Sequence, residues 1–278
     1  MLNNIKKYGI KLFDVSLRDG LQSSPKILSL SEKKDIFHKI INKYEPKNIE
    51  VGSIISEKIL PQLKESDQLF KHGYSIGCNN LFLLVPNLKN YNIVKNNQDI
   101  NVKNISLITS VSNSFILKNT KMSEEENLYN IQMILKSHQN TREQYNNNIK
   151  LYISCINECP IEGKLDNKMV VEKITTYLNF SEINEFCLSD TCGTLKFTDY
   201  KYIIDKTLNK IKPDRIGLHL HSGDNVDEIK NIIKYSIENN IKNFDVSCLE
   251  NTGGCVVTMD RNKINSNLTY EQLDSLLN

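Results

Sequence analysis

Short apolar runs rich in β-branched residues recur along this chain, separated by longer stretches whose apolar positions repeat every three or four residues. The short runs predict strands at 11–16, 48–52, 80–85, 105–110, 150–155, 185–188, 215–220 and 242–248. The longer stretches predict helices at 31–44, 57–71, 87–95, 123–138, 167–178, 198–210, 224–239 and 269–277. Ser29 with Glu32, and Ser123 with Glu126, read as capping boxes at helix starts. Pro61 suits a first helical turn. Eight strands alternating with helices in one chain predict an α/β fold, a closed (β/α)8 TIM barrel forming a single domain over 1–278. An open doubly wound sheet is disfavoured, because no Gly-x-Gly-x-x-Gly follows a strand. In such a barrel the chemistry sits at the C-terminal ends of the strands.

Composition narrows the setting. The net charge is +2, with Lys, Asn and Ile scattered rather than clustered, so no nucleic acid and no anionic membrane surface is expected as a partner. No apolar run approaches the roughly 18 residues of a membrane span, and the first residues carry no secretory or transit signature. Seven cysteines, an odd number, then point to free thiols in a reducing cytoplasm. Cys155 and Cys159 stand at C-x3-C with no second Cys/His pair at zinc spacing, which argues against structural zinc.

The strand ends carry the candidate chemistry. The first run breaks at Arg18-Asp19-Gly20, a cation and a carboxylate side by side before a sharp turn. Alone, such a triplet is usually a surface turn with a local ion pair. The second run holds Glu50, a carboxylate that is costly to bury unless paired. The fourth leads into Ser112-Asn113, the fifth into Ser154-Cys155, and the sixth into Asp190-Thr191. The seventh reads Gly217-Leu-His219-Leu-His221, and residues two apart on a strand face the same way. A lone His on an apolar strand is usually a satisfied core residue; two at this spacing and place favour a metal pair. Asp19, His219 and His221 together suit a divalent ion with mixed oxygen and nitrogen ligands, Mg²⁺ or Mn²⁺ ahead of Zn²⁺. Arg18 beside such an ion is suited to a developing anionic oxygen. After the eighth run comes Gly253-Gly-Cys255, readable either as a bendable loop bearing a functional thiol or as an ordinary glycine turn with an incidental Cys.

Taken in order, these motifs resemble the TIM-barrel metal-dependent acyl-CoA lyases, most closely the 3-hydroxy-3-methylglutaryl-CoA (HMG-CoA) lyases. The resemblance runs from about 11 to 271. It is carried by Arg18-Asp-Gly-Leu-Gln22, Ile49-Glu50 with Ser53, Pro86-Asn-Leu-Lys89, and Ser112–Phe115 with Asn119. It continues through Cys155, Cys159-Pro160, Glu162-Gly-Lys164, Asp190-Thr191 with Gly193, His219-x-His221, Gly253-Gly-Cys255 and Asn267-Leu-Thr-Tyr-Glu271. It implies metal ligation by Asp19, His219, His221 and Asn267. It makes Arg18, Asp19, His219, Cys255 and Glu50 catalytic, with Arg18 on an enolate oxygen and Cys255 as acid and base. It assigns substrate contacts to Arg18, Ser112, Asn113, Asp190 and Thr191, with Glu50 and Asp190 also supporting the pocket. The implied reaction is retro-Claisen cleavage of an acyl-CoA thioester to a keto acid and acetyl-CoA. A cytoplasmic homodimer is compatible with it.

The chain departs from the family pattern at several points. Asp14 stands where a Glu is usual, Ser222 replaces the Asp after the His pair, and Cys187 stands where a Ser is expected. The run from Asp245 to Cys255 is one residue longer than usual, Val256 replaces a Pro, and the interval from Cys255 to Asn267 is long. The sequence stops soon after Asn267, so a shortened C-terminal region is expected. Two other readings stand beside the lyase. One is a same-fold aldolase or Claisen-type acyl transferase on a 2-oxo acid, favoured by Asp14 and opposed by Gly253-Gly-Cys255. The other is a non-catalytic metal- or CoA-binding descendant, prompted by Ser222 and the shortened end.

Overall fold

A computed structural model of the chain describes residues 2–97, 100, 102–142, 147–223 and 225–278. Each predicted strand run forms a strand: β1 Lys11–Asp14, β2 Asn48–Ser53, β3 Leu81–Leu84, β4 Asn104–Ser110, β5 Ile149–Ser154, β6 Glu185–Ser189, β7 Ile216–His219 and β8 Asn243–Val246. All eight pair in parallel and in chain order, and β8 pairs with β1 to close the barrel. Residues two apart on a strand share a face. Lys150 and Tyr152 of β5, Glu185 and Cys187 of β6, Gly217 and His219 of β7, and Asn243 and Asp245 of β8 therefore line the interior. The opposite faces, with Ile153, Leu188, Leu218 and Val246 fully or almost fully buried, form the apolar layer under the helices.

The helices among the described residues are, in chain order, α1 Asn3–Tyr8, α2 Leu30–Lys39, α3 Ser66–Ser75, α4 Leu88–Asn96, α5 Asn113–Thr120, α6 Glu124–Arg142, α7 Asn167–Leu178, α8 Phe197–Leu208, α9 Val226–Glu238 and α10 Tyr270–Leu276. The capping box at Ser29 and Glu32 forms, as does that at Ser123 and Glu126. The helix expected at 57–71 is corrected. Pro61–Leu63 makes one tight turn, Glu65 adopts φ +65°, and the helix begins only at Ser66. The helix at 31–44 ends as a wide turn over Ile40–Tyr44. The start of the one at 224–239 falls on Asp224, outside the described residues. Two helices were not anticipated. α1 packs on α10, where Asp274 accepts from the backbone of Asn4 and Ile5. α5 begins at Ser112, whose hydroxyl accepts from the Phe115 N–H at 3.1 Å. Among the described residues no helix is long and apolar enough to cross a membrane.

Candidate metal centre and active site

β1 ends two residues earlier than the apolar pattern predicts. The chain then makes a wide turn over Ser16–Gly20, in which the Gly20 N–H donates to Val15 O at 3.0 Å. This extra-wide turn, a feature frequent at functional sites, delivers Arg18 and Asp19 to the lining of a cavity of about 90 Å³. Arg18 is buried between two carboxylates. Its Nε donates to Glu50 Oε2 and its second nitrogen to Asp19 Oδ1, the latter at 2.6 Å. Its guanidinium lies 4.9 Å from the centre of the Tyr152 ring. The cost of burying Glu50 is thus offset by an ion pair and by the Tyr152 hydroxyl, which donates to it at 3.1 Å.

Asp19, His219 and His221 meet at the mouth of the barrel, with one ligand atom from each within 4.8 Å of the others. Asp19 Oδ2 is 3.7 Å from His219 Nε2 and 3.9 Å from His221 Nε2, too far for hydrogen bonds and open to a shared cation. Each imidazole is held from behind through its other nitrogen. His221 Nδ1 donates to the Asp190 carbonyl at 2.7 Å, and His219 Nδ1 lies 3.1 Å from Asp245 Oδ2. Such partners fix the orientation and tautomer of a metal-ligating His. Burial opposes ionisation of Asp19, yet Arg18 and the two imidazoles hold its carboxyl well below the usual range. Burial pushes His221 down, and the Asp19 carboxylate more than reverses this, so its pKa is raised.

The fourth expected ligand arrives from far along the chain. Ser266–Asn267 pairs antiparallel with His221–Ser222, with Asn267 opposite His221. The long interval after Cys255 is absorbed by a loop that includes a tight turn at Arg261–Lys263. Both side-chain polar atoms of Asn267, together with His221 Nε2, are buried without a protein partner. Orphaned polar atoms on two residues paired across one short ribbon fit a bound cation and its oxygen ligands. Gly253 and Gly254 have a steric reason here. Their φ values are +116° and +85°, and a Cβ would lie 2.3 Å from Asn267 Cγ at the first and 2.4 Å from Ile264 Cγ2 at the second. Cys255 follows at the cavity wall, half-buried, with Sγ 3.5 Å from Asn119 Oδ1. Burial pushes its thiol pKa up.

The other sequence-predicted residues are more dispersed. Thr191 lines the cavity and accepts the Cys155 N–H at 2.8 Å. Asp190 turns its carboxylate to the N–H groups of Thr194 and Leu195, which ties down the loop that holds His221; burial pushes its pKa up. Ser112 and Asn113 are not brought to the cavity lining: Ser112 caps α5 and donates to Cys159 Sγ at 3.0 Å, and Asn113 is exposed. Asp14 faces away from the cavity, bonded to both the N–H and hydroxyl of Ser16 and to Tyr270. The residue that favoured a condensing enzyme is therefore a structural one. Ser222 bonds Ser266 and stitches the short ribbon that carries Asn267.

Sequence reading missed the floor of the site. Lys150 is buried inside the barrel between Asp245 and Glu185, its Nζ 3.0 Å from Glu185 Oε1. Glu185, Cys187 and Asp245 also cluster closely enough to suggest a second cation site, but the Lys150 ammonium already lies within it. Burial opposes ionisation of Asp245, and Lys150 and His219 more than offset it, so its carboxyl is held below the ordinary range. Tyr152, which touches Arg18 and Glu50 and lines the cavity, was also missed. The period-two alternation Lys150-x-Tyr152-x-Ser154 was the available signal, since it puts a Lys on the same inward face as two cavity residues.

Comparison with known proteins agrees with this geometry. The chain is 26% identical over 212 residues to the mitochondrial hydroxymethylglutaryl-CoA lyase of Macaca fascicularis, covering 76% of this chain and 62% of that one. It is 25% identical over 246 residues to the 3-hydroxy-3-isohexenylglutaryl-CoA/hydroxymethylglutaryl-CoA lyase of Pseudomonas aeruginosa, covering 88% and 78%. Its match to the mitochondrial lyase of Arabidopsis thaliana spans half of that protein, so the chain corresponds to only part of several relatives. The structure superposes with a TM-score of 0.79 on an HMG-CoA lyase from Acinetobacter baumannii solved with coenzyme A and 3-methylmalate, at 25% identity, covering 95% of this chain and 81% of the other. The HMGL-like family model matches residues 9–227, and the chain belongs to the HMGL-like family.

Proposed function

We propose that this protein is a metal-dependent carbon–carbon lyase that cleaves a 3-hydroxy-3-methylglutaryl-CoA-like thioester to a keto acid and acetyl-CoA. The observation that carries the reading is the gathering of Asp19, His219 and His221 around one point, beside Arg18 and Cys255 on one cavity. With Asn267, these ligands would hold Mg²⁺ or Mn²⁺, which when bound supplies Lewis acidity toward hydroxyl and carboxylate oxygens of the substrate. The chain's own residues account for the rest. The tertiary hydroxyl loses its proton to a base, and the C–O bond becomes a carbonyl. The adjacent C–C bond breaks, and its electron pair passes into the thioester as an enolate. Arg18, fixed by Glu50 and Asp19 at the cavity wall, presents a cation to the enolate oxygen. The Cys255 thiol gives the enolate carbon its proton, releasing acetyl-CoA, and is reset from solvent or by the next substrate hydroxyl. The acyl-CoA reading also rests on the coenzyme A held by the A. baumannii relative. All seven cysteines are unpaired, which supports a reducing cytoplasm.

The test is a panel of 3-hydroxy-3-alkylglutaryl-CoA thioesters and related acyl-CoAs, assayed with Mg²⁺ or Mn²⁺ for release of acetyl-CoA. Release that requires the metal and is lost in Cys255→Ser supports the lyase. Metal-dependent turnover of 2-oxo acids with no cleavage of any thioester would replace it with the aldolase reading.

A further inference from the structure

The least expected chemistry in this barrel lies beneath the metal centre. The floor layer of a TIM barrel is ordinarily filled by branched apolar side chains. Here it holds an ammonium and two carboxylates, with the Lys150 and Asp245 side chains each 1% exposed. Glu185 is 18% exposed, but burying the Lys150 and Asp245 charges costs several kcal/mol per ion before their attraction is counted, and apolar side chains of similar volume are often as stable or more so. Stability therefore does not account for the cluster. Space has been made for it, too: a Cβ on Gly217, two residues before His219, would lie 2.4 Å from Glu185 Oε1.

The contacts give the cluster a direction. Lys150 Nζ is bonded to Asp245 Oδ1, sits 3.0 Å from Glu185 Oε1, and lies 3.5 Å from the centre of the Phe13 ring. With one oxygen taken by the ammonium, Asp245 is left with Oδ2 facing upward, 3.1 Å from His219 Nδ1. The Cys187 thiol donates to that same oxygen at 3.6 Å. A carboxylate oxygen only accepts, so His219 Nδ1 carries a proton, and Nε2 is the nitrogen that faces Asp19.

We propose that Lys150 is a positioning residue for the metal centre: by clamping Asp245 it anchors the His219 ring through Nδ1, with Nε2 aimed at Asp19 to ligate. This rests on the metal-centre part of the lyase reading and is independent of the substrate. Lys150 touches neither the metal ligands nor the cavity, and acts through Asp245. Arg at 150 can hold a carboxylate with the same charge, whereas Met fills the volume without it.

The experiment uses the whole chain, with two readouts that need no turnover. The first is the ¹⁵N imidazole spectrum of the metal-free protein, with His219 assigned by its loss in His219→Ala; only five histidines are present. The wild type should show a fixed proton on His219 Nδ1, held by Asp245, and Lys150→Met should show that proton lost or exchanging between the two ring nitrogens. The second is Mn²⁺ affinity by calorimetry, which should fall by about 10–100-fold in Lys150→Met, as loss of a ligand's supporting partner typically does, and recover in Lys150→Arg. If Lys150→Met does not fold, Lys150→Met/Asp245→Asn removes cation and carboxylate together and should show the same two changes. A folded variant with an unaltered Nδ1–H signal and wild-type Mn²⁺ affinity overturns the proposal, as does a wild type with no proton on His219 Nδ1. If the wild type binds no Mn²⁺, the metal-centre reading fails by itself, and the metal-free spectrum still decides what Lys150 does.

Discussion

The backbone N–H of Gly254 donates to Asp19 Oδ2 across 2.8 Å. The loop that carries Cys255 is thereby fastened to a candidate metal ligand, and Gln22 fastens it again by donating to the Gly254 carbonyl at 2.9 Å. Metal site and thiol are thus coupled through one carboxylate. Asp19→Ala should lower Mn²⁺ affinity by about 10²-fold or more, since a ligand matters at least as much as its supporting partners. It should also free the loop, so that Cys255 reacts faster with iodoacetamide. Calorimetry and mass spectrometry of the alkylated protein measure the two effects. Unchanged Cys255 labelling would show that Asp19 does not hold the loop.

Arg18 has two separable duties. It faces the cavity where an enolate oxygen would develop, and it neutralises Glu50, whose side chain is wholly buried. Removing one partner of a buried pair costs about 3–5 kcal/mol. Removing a donor aimed at a transition-state oxyanion costs about 10²–10³ in kcat. Arg18→Met should therefore lose both stability and turnover. Arg18→Met/Glu50→Gln should regain most of the stability, read from urea denaturation, and none of the turnover. If kcat returned with stability, Arg18 would be a structural residue only.

Much of this was legible because the barrel fold ties chemistry to strand ends, and the strands are short apolar runs that alternation reveals. His219 and His221 could be placed on one face from spacing alone. The fold did not announce its local breaks. Nothing in the apolar pattern shows that β1 stops at Asp14 so that a wide turn can deliver Arg18 and Asp19. Asn267 could be tied to His221 only by resemblance, because their pairing depends on how a long loop returns. Lys150 escaped notice because a lysine in a strand is ordinarily read as an outward, solvated residue. Its burial follows only once Asp245 and Glu185 are known to converge on it.

The glycines before Cys255 offer a steric test of the Asn267 ligand. Gly253→Ala combines backbone strain at φ +116° with a Cβ 2.3 Å from Asn267 Cγ, so the amide must move. Gly77 supplies the control, with φ +89° and no atom within 4 Å of an added Cβ. Both substitutions should destabilise the fold by about 1–3 kcal/mol, the usual cost of a residue held in such a conformation. Only Gly253→Ala should also weaken Mn²⁺ binding in calorimetry. Equal Mn²⁺ affinities in the two variants would remove Asn267 from the ligand set.

Asp14 gives the protein a pH dependence of its own. Burial raises its pKa from 3.8 to about 6, against the lowering effect of its bonds to Tyr270 and Ser16. An acid whose pKa is higher in the folded state binds its proton more tightly there. Its contribution to stability is therefore fully present below pH 3.8 and is lost as pH rises through about 6. A shift of this size corresponds to about 3 kcal/mol. Other buried carboxylates, Asp19 and Asp245, are shifted the opposite way, so the wild-type curve alone does not isolate the effect. The difference between wild type and Asp14→Asn does. The Asn side chain has nearly the same shape and stays neutral, so the variant should gain on the wild type by about 2.5 kcal/mol between pH 4 and pH 7. Urea unfolding across that range measures the gain, and a difference that stays flat with pH would show that folding does not raise the Asp14 pKa.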